Sequence, residues 1–186
     1  MAKANKPILL AAGGTGGHIF PAEALARELL ARGHTVTLVT DKRGHAFGDS
    51  LPEVPVHRIR AGSPSGGIVG KLKGAVQLAL GIVDARSLLR QLDPAAVVGF
   101  GGYPSVPTVY AAGRAGVPVL LHEQNAVLGR ANRLLAGAAR RLAVAYPRVS
   151  GVADAGKTVQ TGNPVRPAVA AKRGAPYEAP AADGPV

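Results

Sequence analysis

Five apolar residues, Ile8-Leu9-Leu10-Ala11-Ala12, run without interruption into Gly13-Gly14-Thr15-Gly16-Gly17-His18, and a helical stretch follows to about Ala31. A buried-looking strand that passes through a glycine turn into a helix is the opening of a strand-helix-strand unit. Four glycines in the five residues from Gly13 to Gly17 leave little side-chain bulk, so a ligand can approach the backbone closely. Amides directed out of a helix N-terminus favour negative charge. His18 is the sole titratable side chain of the turn and the first candidate for moving a proton there. The plainer alternative is a strand-to-helix turn in which His18 only caps the helix.

Strands and helices alternate from there on. Strands are expected at Pro7–Ala12, Thr35–Thr40, Val56–Ile59, Ala95–Val98, Val117–Leu121 and Leu142–Ala145. Helices are expected at Pro21–Arg32, Val69–Leu92, from Pro104 to about Arg114, and at Leu128–Gly137. The fold class is therefore α/β, a Rossmann-like parallel sheet with helices on both faces. Ligands of such folds bind beyond the carboxyl ends of the strands. Both glycine clusters, at Gly13–Gly17 and Gly99–Gly102, and the polar run His122-Glu123-Gln124-Asn125 lie at such ends and converge on one rim. Residues 1–167 read as one domain. Residues 168–186, rich in Pro, Gly and Ala, read as a linker or tail, which leads us to expect that a partner domain is absent.

Composition narrows the function. At 186 residues, 47% apolar, with a mean hydropathy of +0.15, the chain is built for a packed core. It carries no apolar run of 18 residues and no secretory signal pattern, and it has no cysteine, which excludes disulfides and thiolate metal sites. The net charge of +11 points to nucleic acid, an anionic membrane surface or phosphorylated substrates. No tryptophan, three phenylalanines and no nucleic-acid motif set nucleic acid below the other two. Solvated arginines serving solubility alone are the bland alternative.

Two better-known phosphate motifs fail. The dinucleotide fingerprint G-x-G-x-x-G, started at Gly14, meets Ile19 where its third glycine belongs, although Asp41 stands where a ribose-binding acid would. Gly151 to Thr158 matches G-x-x-x-x-G-K-T letter for letter. A phosphate-binding loop of that kind must open a helix, and Gly162 and Pro164 follow too soon for one.

The combination of Gly13 to His18 with Ile19-Phe20-Pro21-Ala22, then Gly101-Gly102-Tyr103, then His122-Glu123-Gln124-Asn125, then Gly162-Asn163-Pro164-Val165-Arg166 resembles the MurG family of bacterial peptidoglycan glycosyltransferases. The resemblance covers about residues 7 to 167. It implies the first of two Rossmann-like domains flanking a cleft, the N-terminal, acceptor-side half of a GT-B glycosyltransferase. It also implies transfer of N-acetylglucosamine from UDP-N-acetylglucosamine to undecaprenyl-pyrophosphoryl-N-acetylmuramoyl-pentapeptide (lipid I to lipid II). By resemblance Thr15, Gly16, Gly17, Asn125 and Arg166 contact the donor, and His18 is the general base. Gly14, Gly101, Gly102, Tyr103 and Glu123 belong to the loops facing the acceptor pyrophosphate. No cofactor is implied, and without an Asp-x-Asp motif no metal site is expected.

The chemistry suits these residue types. An imidazole near neutral pKa can take the proton of the attacking hydroxyl, and oriented amides with Arg166 can receive the departing diphosphate. Glu123 as a buried partner that fixes its loop, and Arg166 as a brace for the linker, are the structural alternatives. A polyprenyl acceptor implies work at the cytoplasmic face of the bacterial membrane, with peripheral attachment. Leu72, Val76, Leu80 and Val83 recur at helical spacing beside Lys71 and Lys73, which fits an interfacial apolar patch flanked by cations. Packing of that helix on the sheet is the preferred reading for most of the stripe. With half the donor site lacking, the chain alone is expected to show little or no activity. The alternatives are a non-catalytic subunit that binds the lipid-linked acceptor and needs a separate donor-binding chain, and a dinucleotide-binding domain.

Overall fold

The structure is a computed structural model that describes residues 6–42, 51–63 and 66–176. The reading of Met1–Asn5 as lacking a signal pattern, and most of the proposed tail, lie outside those residues. Seven strands form one wholly parallel sheet: β1 (Ile8–Ala11), β2 (Val36–Thr40), β3 (Val56–Arg58), β4 (Ala96–Gly99), β5 (Val119–Glu123), β6 (Arg141–Val144) and β7 (Thr158–Gln160). Their spatial order is β3-β2-β1-β4-β5-β6-β7. The helices are α1 (Gly16–Ala31), α2 (Ile68–Leu92), α3 (Val106–Arg114), α4 (Arg130–Leu135) and α5 (Pro167–Ala170).

Successive residues of β1 face opposite layers, as the two-residue period of a strand requires. Leu9 and Ala11 pack with Ala85, Leu88 and Leu89 of α2, Val106 and Val109 of α3, and Ala131 and Leu135 of α4. Leu10 and Ala12 pack with Ala22 and Ala26 of α1, together with Val36, Leu38 and Phe100. Every residue of β2 is buried, so the sheet is covered on both sides, and this is why β1 and β2 need no polar alternation.

The chain lays β1, β2 and β3 outward to one edge, then returns through α2 to set β4 on the other side of β1. Leu10 thus lies between Leu38 and Val98. At this reversal the connections after β1 and β4 turn to opposite faces, and a crevice opens between them. Asp93 ends α2 in a left-handed conformation (φ 42°), its amide bonded to the Leu89 carbonyl and its carboxylate 2.6 Å from Lys6.

Two expectations need correction, and one strand adds to those expected. α1 starts at Gly16 and not at Pro21, which lies inside the helix. Proline favours the first helical turn, but the glycine turn is itself already helical, so the proline falls one turn late. β7 joins the sheet as an edge strand, although only three residues long. The stripe on α2 does not pack on the sheet as a whole: Leu72, Val76 and Val83 are 65%, 49% and 59% exposed, while only Leu80 is half-buried. The face of α2 turned to the core carries Gly74, Gly81, Ala85, Leu88 and Leu89 instead. The stretch Gly151–Thr158 holds a 3-10 turn at Ala155–Lys157 followed directly by β7, so the Walker-like match opens no helix.

Leu10 is completely buried between two neighbouring strands and α1. Leu10→Ala is expected to cost about 2–5 kcal/mol in urea unfolding. A loss within the range of surface substitutions, about 0.5 kcal/mol, contradicts the packing described.

Candidate active site

The crevice between β1 and β4 is lined by two backbone-rich loops. After β1, Gly13 is buried and the next three residues, Gly14, Thr15 and Gly16, reach the surface in varying degree as α1 begins. Thr15 is the N-cap residue, and its hydroxyl lies 3.2 Å from Nδ1 of His18 instead of capping a backbone amide. This fixes the half-buried imidazole one turn into the helix. The backbone N–H groups of a first helical turn are donors that suit negative charge.

After β4, Gly101 and Gly102 take φ of +91° and +73°. At Gly102 (ψ 151°) only glycine is at ease, and a Cβ there would lie 2.5 Å from the Gly13 carbonyl oxygen. A Cβ on Gly101 would lie 3.1–3.2 Å from the imidazole of His18. The two glycine loops are thus in contact, and His18 lies directly over the second. Tyr103 opens a 3-10 turn that leads into α3, and its ring packs in part against the core.

Glu123 organises the third loop. It is 1% exposed at the carboxyl end of β5. One carboxylate oxygen accepts the backbone amide (3.1 Å) and side-chain amide (3.0 Å) of Asn125; the other accepts the amide of Gly129 (2.8 Å) and Nδ2 of Asn132 (2.9 Å). Four donors are what a buried carboxylate needs to remain tolerable. Asn132, 2% exposed on α4, also donates to the carbonyl of His122 (3.0 Å), tying α4 to the strand end. Asn125 is exposed, with its amide nitrogen committed to Glu123.

Desolvation holds His18 below the ordinary imidazole value of 6.5; the negative charge of Glu123 acts in the opposite direction, and burial prevails. His18 is therefore neutral, and able to accept a proton, at pH 7. Across the crevice the guanidinium of Arg166 stacks 4.0 Å over the ring of Phe20. With Gly16, Gly17 and Asn163 these residues line a cleft of about 170 Å³.

Of the residues singled out in the sequence, His18, Thr15, Gly101 and Gly102 form one contiguous cluster. Asn125 and Glu123 form a second, bound together. Arg166 meets α1 at Phe20. Two residues carried no assigned role in the sequence: Asn132, and His122 within its motif. Their partners lie 10 and 40 residues away along the chain, respectively, which spacing alone does not reveal.

The model of the glycosyltransferase family 28 N-terminal domain matches residues 8–144. The chain belongs to this family. Over 180 residues it is 62% identical to the UDP-N-acetylglucosamine–N-acetylmuramyl-(pentapeptide) pyrophosphoryl-undecaprenol N-acetylglucosamine transferase of Rhodospirillum centenum, covering 96% of this chain and 48% of that protein. The enzyme of the same name from Rhizobium meliloti is 50% identical over 179 residues, again with 96% and 48% covered. The crystal structure of Acinetobacter baumannii MurG superposes with a TM-score of 0.70 at 34% identity, over 88% of this chain and 47% of that one. The calicheamicin glycosyltransferase CalG4, at 16% identity and a TM-score of 0.56, shares the fold. The chain spans about half the length of the curated relatives it matches. Membership of family 28 sets aside the dinucleotide reading; Asp41, its ribose candidate, is 2% exposed at the end of β2.

Two predictions follow from the site geometry. In an NMR pH titration the His18 imidazole is expected to show a midpoint below 6.5, and Glu123→Gln, by removing the opposing charge, to move it lower still. A midpoint above 6.5 contradicts the burial described. Gly102→Ala is expected to destabilise the fold by about 1–3 kcal/mol from its backbone conformation alone, and urea unfolding that leaves stability unchanged contradicts it.

Proposed function

We propose that this chain is the acceptor-side half of an inverting N-acetylglucosaminyltransferase. In this reading N-acetylglucosamine passes from UDP-N-acetylglucosamine to undecaprenyl-pyrophosphoryl-N-acetylmuramoyl-pentapeptide, the step that gives lipid II in peptidoglycan synthesis. The observation that carries the reading is the neutral, half-buried His18 seated over Gly101 where two glycine loops meet at the reversal of strand order. Family membership and the names of the relatives supply the substrates.

In this mechanism the acceptor pyrophosphate lies against Gly14, Gly101, Gly102 and Tyr103. His18 takes the proton from the acceptor hydroxyl as it attacks C1 of the donor sugar from the face opposite UDP, and the C1–oxygen bond to the diphosphate breaks. In this mechanism Nδ1–H donates to the Thr15 hydroxyl oxygen, 3.2 Å away, and Nε2, which faces the second loop, is the basic nitrogen. Thr15, Gly16, Gly17, Asn125 and Arg166 contact the donor, and the amides of α1 with Arg166 stabilise the departing diphosphate. Glu123 shapes the loop that carries Asn125. The remaining donor contacts belong to a second domain, which corresponds to the part of the relatives beyond this chain's match. Residues 168–186 serve as the linker toward it.

The lipid-linked acceptor places the protein peripherally on the cytoplasmic face of the membrane. No helix among the described residues is long and apolar enough to cross a membrane. The exposed Ile68 (87%), Val69 (81%), Leu72 and Val76 of α2 supply an apolar face, and Lys71 and Lys73 flank it. Such a face inserts at the headgroup level, and each cation contributes about 1 kcal/mol near anionic lipid. No nucleic acid enters this reading.

Transfer to a lipid I analogue is expected only when a family donor domain is added in trans, and His18→Ala is expected to lower that rate about 10²–10⁴-fold. Transfer by the chain alone, or an unimpaired His18→Ala variant, contradicts the mechanism. Absence of transfer in both mixtures, with acceptor binding retained, favours a non-catalytic acceptor-binding subunit instead. In flotation with vesicles containing phosphatidylglycerol the chain is expected to bind at low salt and Leu72→Glu/Val76→Glu to bind less; equal binding by both contradicts the assignment of α2 to the membrane.

A further inference from the structure

His122 is 4% exposed at the end of β5 and takes no part in the mechanism above. Its surroundings determine its protonation pattern. The side-chain nitrogen of Gln124 lies 3.1 Å from the Phe100 carbonyl and 3.4 Å from that of His122, so two acceptors fix which end of the amide is the donor. The same nitrogen lies 3.1 Å from Nδ1 of His122. Nδ1 must therefore accept, and a neutral ring then carries its proton on Nε2. Burial keeps the ring neutral at pH 7 by holding it below 6.5. Nε2 in turn lies 3.0 Å from the carbonyl oxygen of Gly162, forty residues away, and donates to it.

The arrangement has a cost that marks it as specific. The oxygen of the Gln124 amide is buried without a partner. Turning the amide over would set that oxygen against the Phe100 and His122 carbonyls and would suit Nδ1 only as an N–H, leaving a neutral ring with no proton on Nε2 for the Gly162 carbonyl, so the orphan oxygen is the lesser penalty.

Gly162 is where the chain leaves the sheet. Thr161 still bonds to the Val144 carbonyl (3.0 Å), and four residues after Gly162 the Arg166 guanidinium reaches the ring of Phe20 on α1. We propose that His122 is a positioning residue, a latch locked in its Nε2–H tautomer by Gln124, that grips the strand exit at Gly162 and so sets Arg166 against the glycine turn of α1. The latch joins the loop organised by Glu123 to the segment Gly162–Arg166 without touching a substrate. Its consequence for donor binding rests on the proposed role of Arg166. The latch itself does not.

The test uses the whole chain without substrates. Long-range nitrogen–proton NMR spectra are expected to show His122 as the neutral Nε2–H tautomer at pH 7, with nuclear Overhauser contacts between Arg166 and the Phe20 ring. His122→Gln places an amide nitrogen near the position of Nε2 and is expected to keep those contacts. His122→Phe keeps the ring volume without a donor and is expected to lose them and to lower the order parameters of the amides of Gly162, Asn163, Val165 and Arg166, while the His18 signals stay in place. Should His122→Phe fail to fold, Gln124→Leu decides: loss of the single tautomer together with weaker contacts supports the latch. An Nδ1–H tautomer in the unaltered chain, or contacts and order retained in His122→Phe or Gln124→Leu, overturns it. These readouts need no turnover. Failure of transfer with the latch intact counts against the proposed reaction alone, and loss of the latch with transfer intact counts against the latch alone.

Discussion

Between β1 and β4 the chain reverses the direction in which it adds strands, and the crevice opened there is the constraint on which the rest of the molecule depends. Backbone amides reach the crevice from the start of α1, and a second glycine loop reaches it from β4. Neither loop tolerates bulk, because Gly102 lies against the Gly13 carbonyl and Gly101 against His18. The packing of the two loops is therefore also the positioning of the imidazole. A sheet covered on both faces holds this geometry rigid: Leu9 and Ala11 are anchored in one layer, Leu10 and Ala12 in the other. Function and stability share β1 and the residue that follows it, Ala12, since the carboxyl end of the strand is the floor of the site.

Around that crevice the polar groups are satisfied by long-range partners. Glu123 gathers four donors from Asn125, Gly129 and Asn132, and it opposes through space the desolvation of His18. A single buried carboxylate thus shapes a loop and moderates a base. His122, next to it, faces the other way and holds the strand exit at Gly162. Two adjacent residues of β5 thereby tie the loop that carries Asn125, α4 and the outgoing segment into one unit.

Much of this was legible in the chain. The unbroken apolar run before Gly13, the β-branched stretch Thr35–Thr40 and the proline and glycine breaks identified a parallel α/β sheet and put the glycine clusters on one rim. What was not legible had local causes. Pro21 imitates a helix start, while the true first turn, which begins with Gly16 and Gly17, has the composition of a loop. β7 is three residues long and depends on its ladder with β6 for its existence. Leu72 and Val76 have the spacing of a core face, but α2 packs through Gly74, Gly81 and Ala85, small residues that periodicity in bulky side chains overlooks. The roles of His122 and Asn132 require knowing which distant carbonyl lies opposite, and only the folded topology supplies that.

The direct measurement of the central claim is a chemical-shift titration of the isotopically labelled chain with a short-chain prenyl pyrophosphate. The account predicts perturbations concentrated at the amides of Gly14–His18 and Gly101–Tyr103. A second basic region offers the natural contrast: a groove of about 710 Å³ lined by Arg86, Arg90 and Arg114, beside Pro94 and Val117 at the amino ends of β4 and β5. Perturbations confined to that groove, with the crevice silent, would contradict the assignment of the strand-order reversal as the diphosphate site.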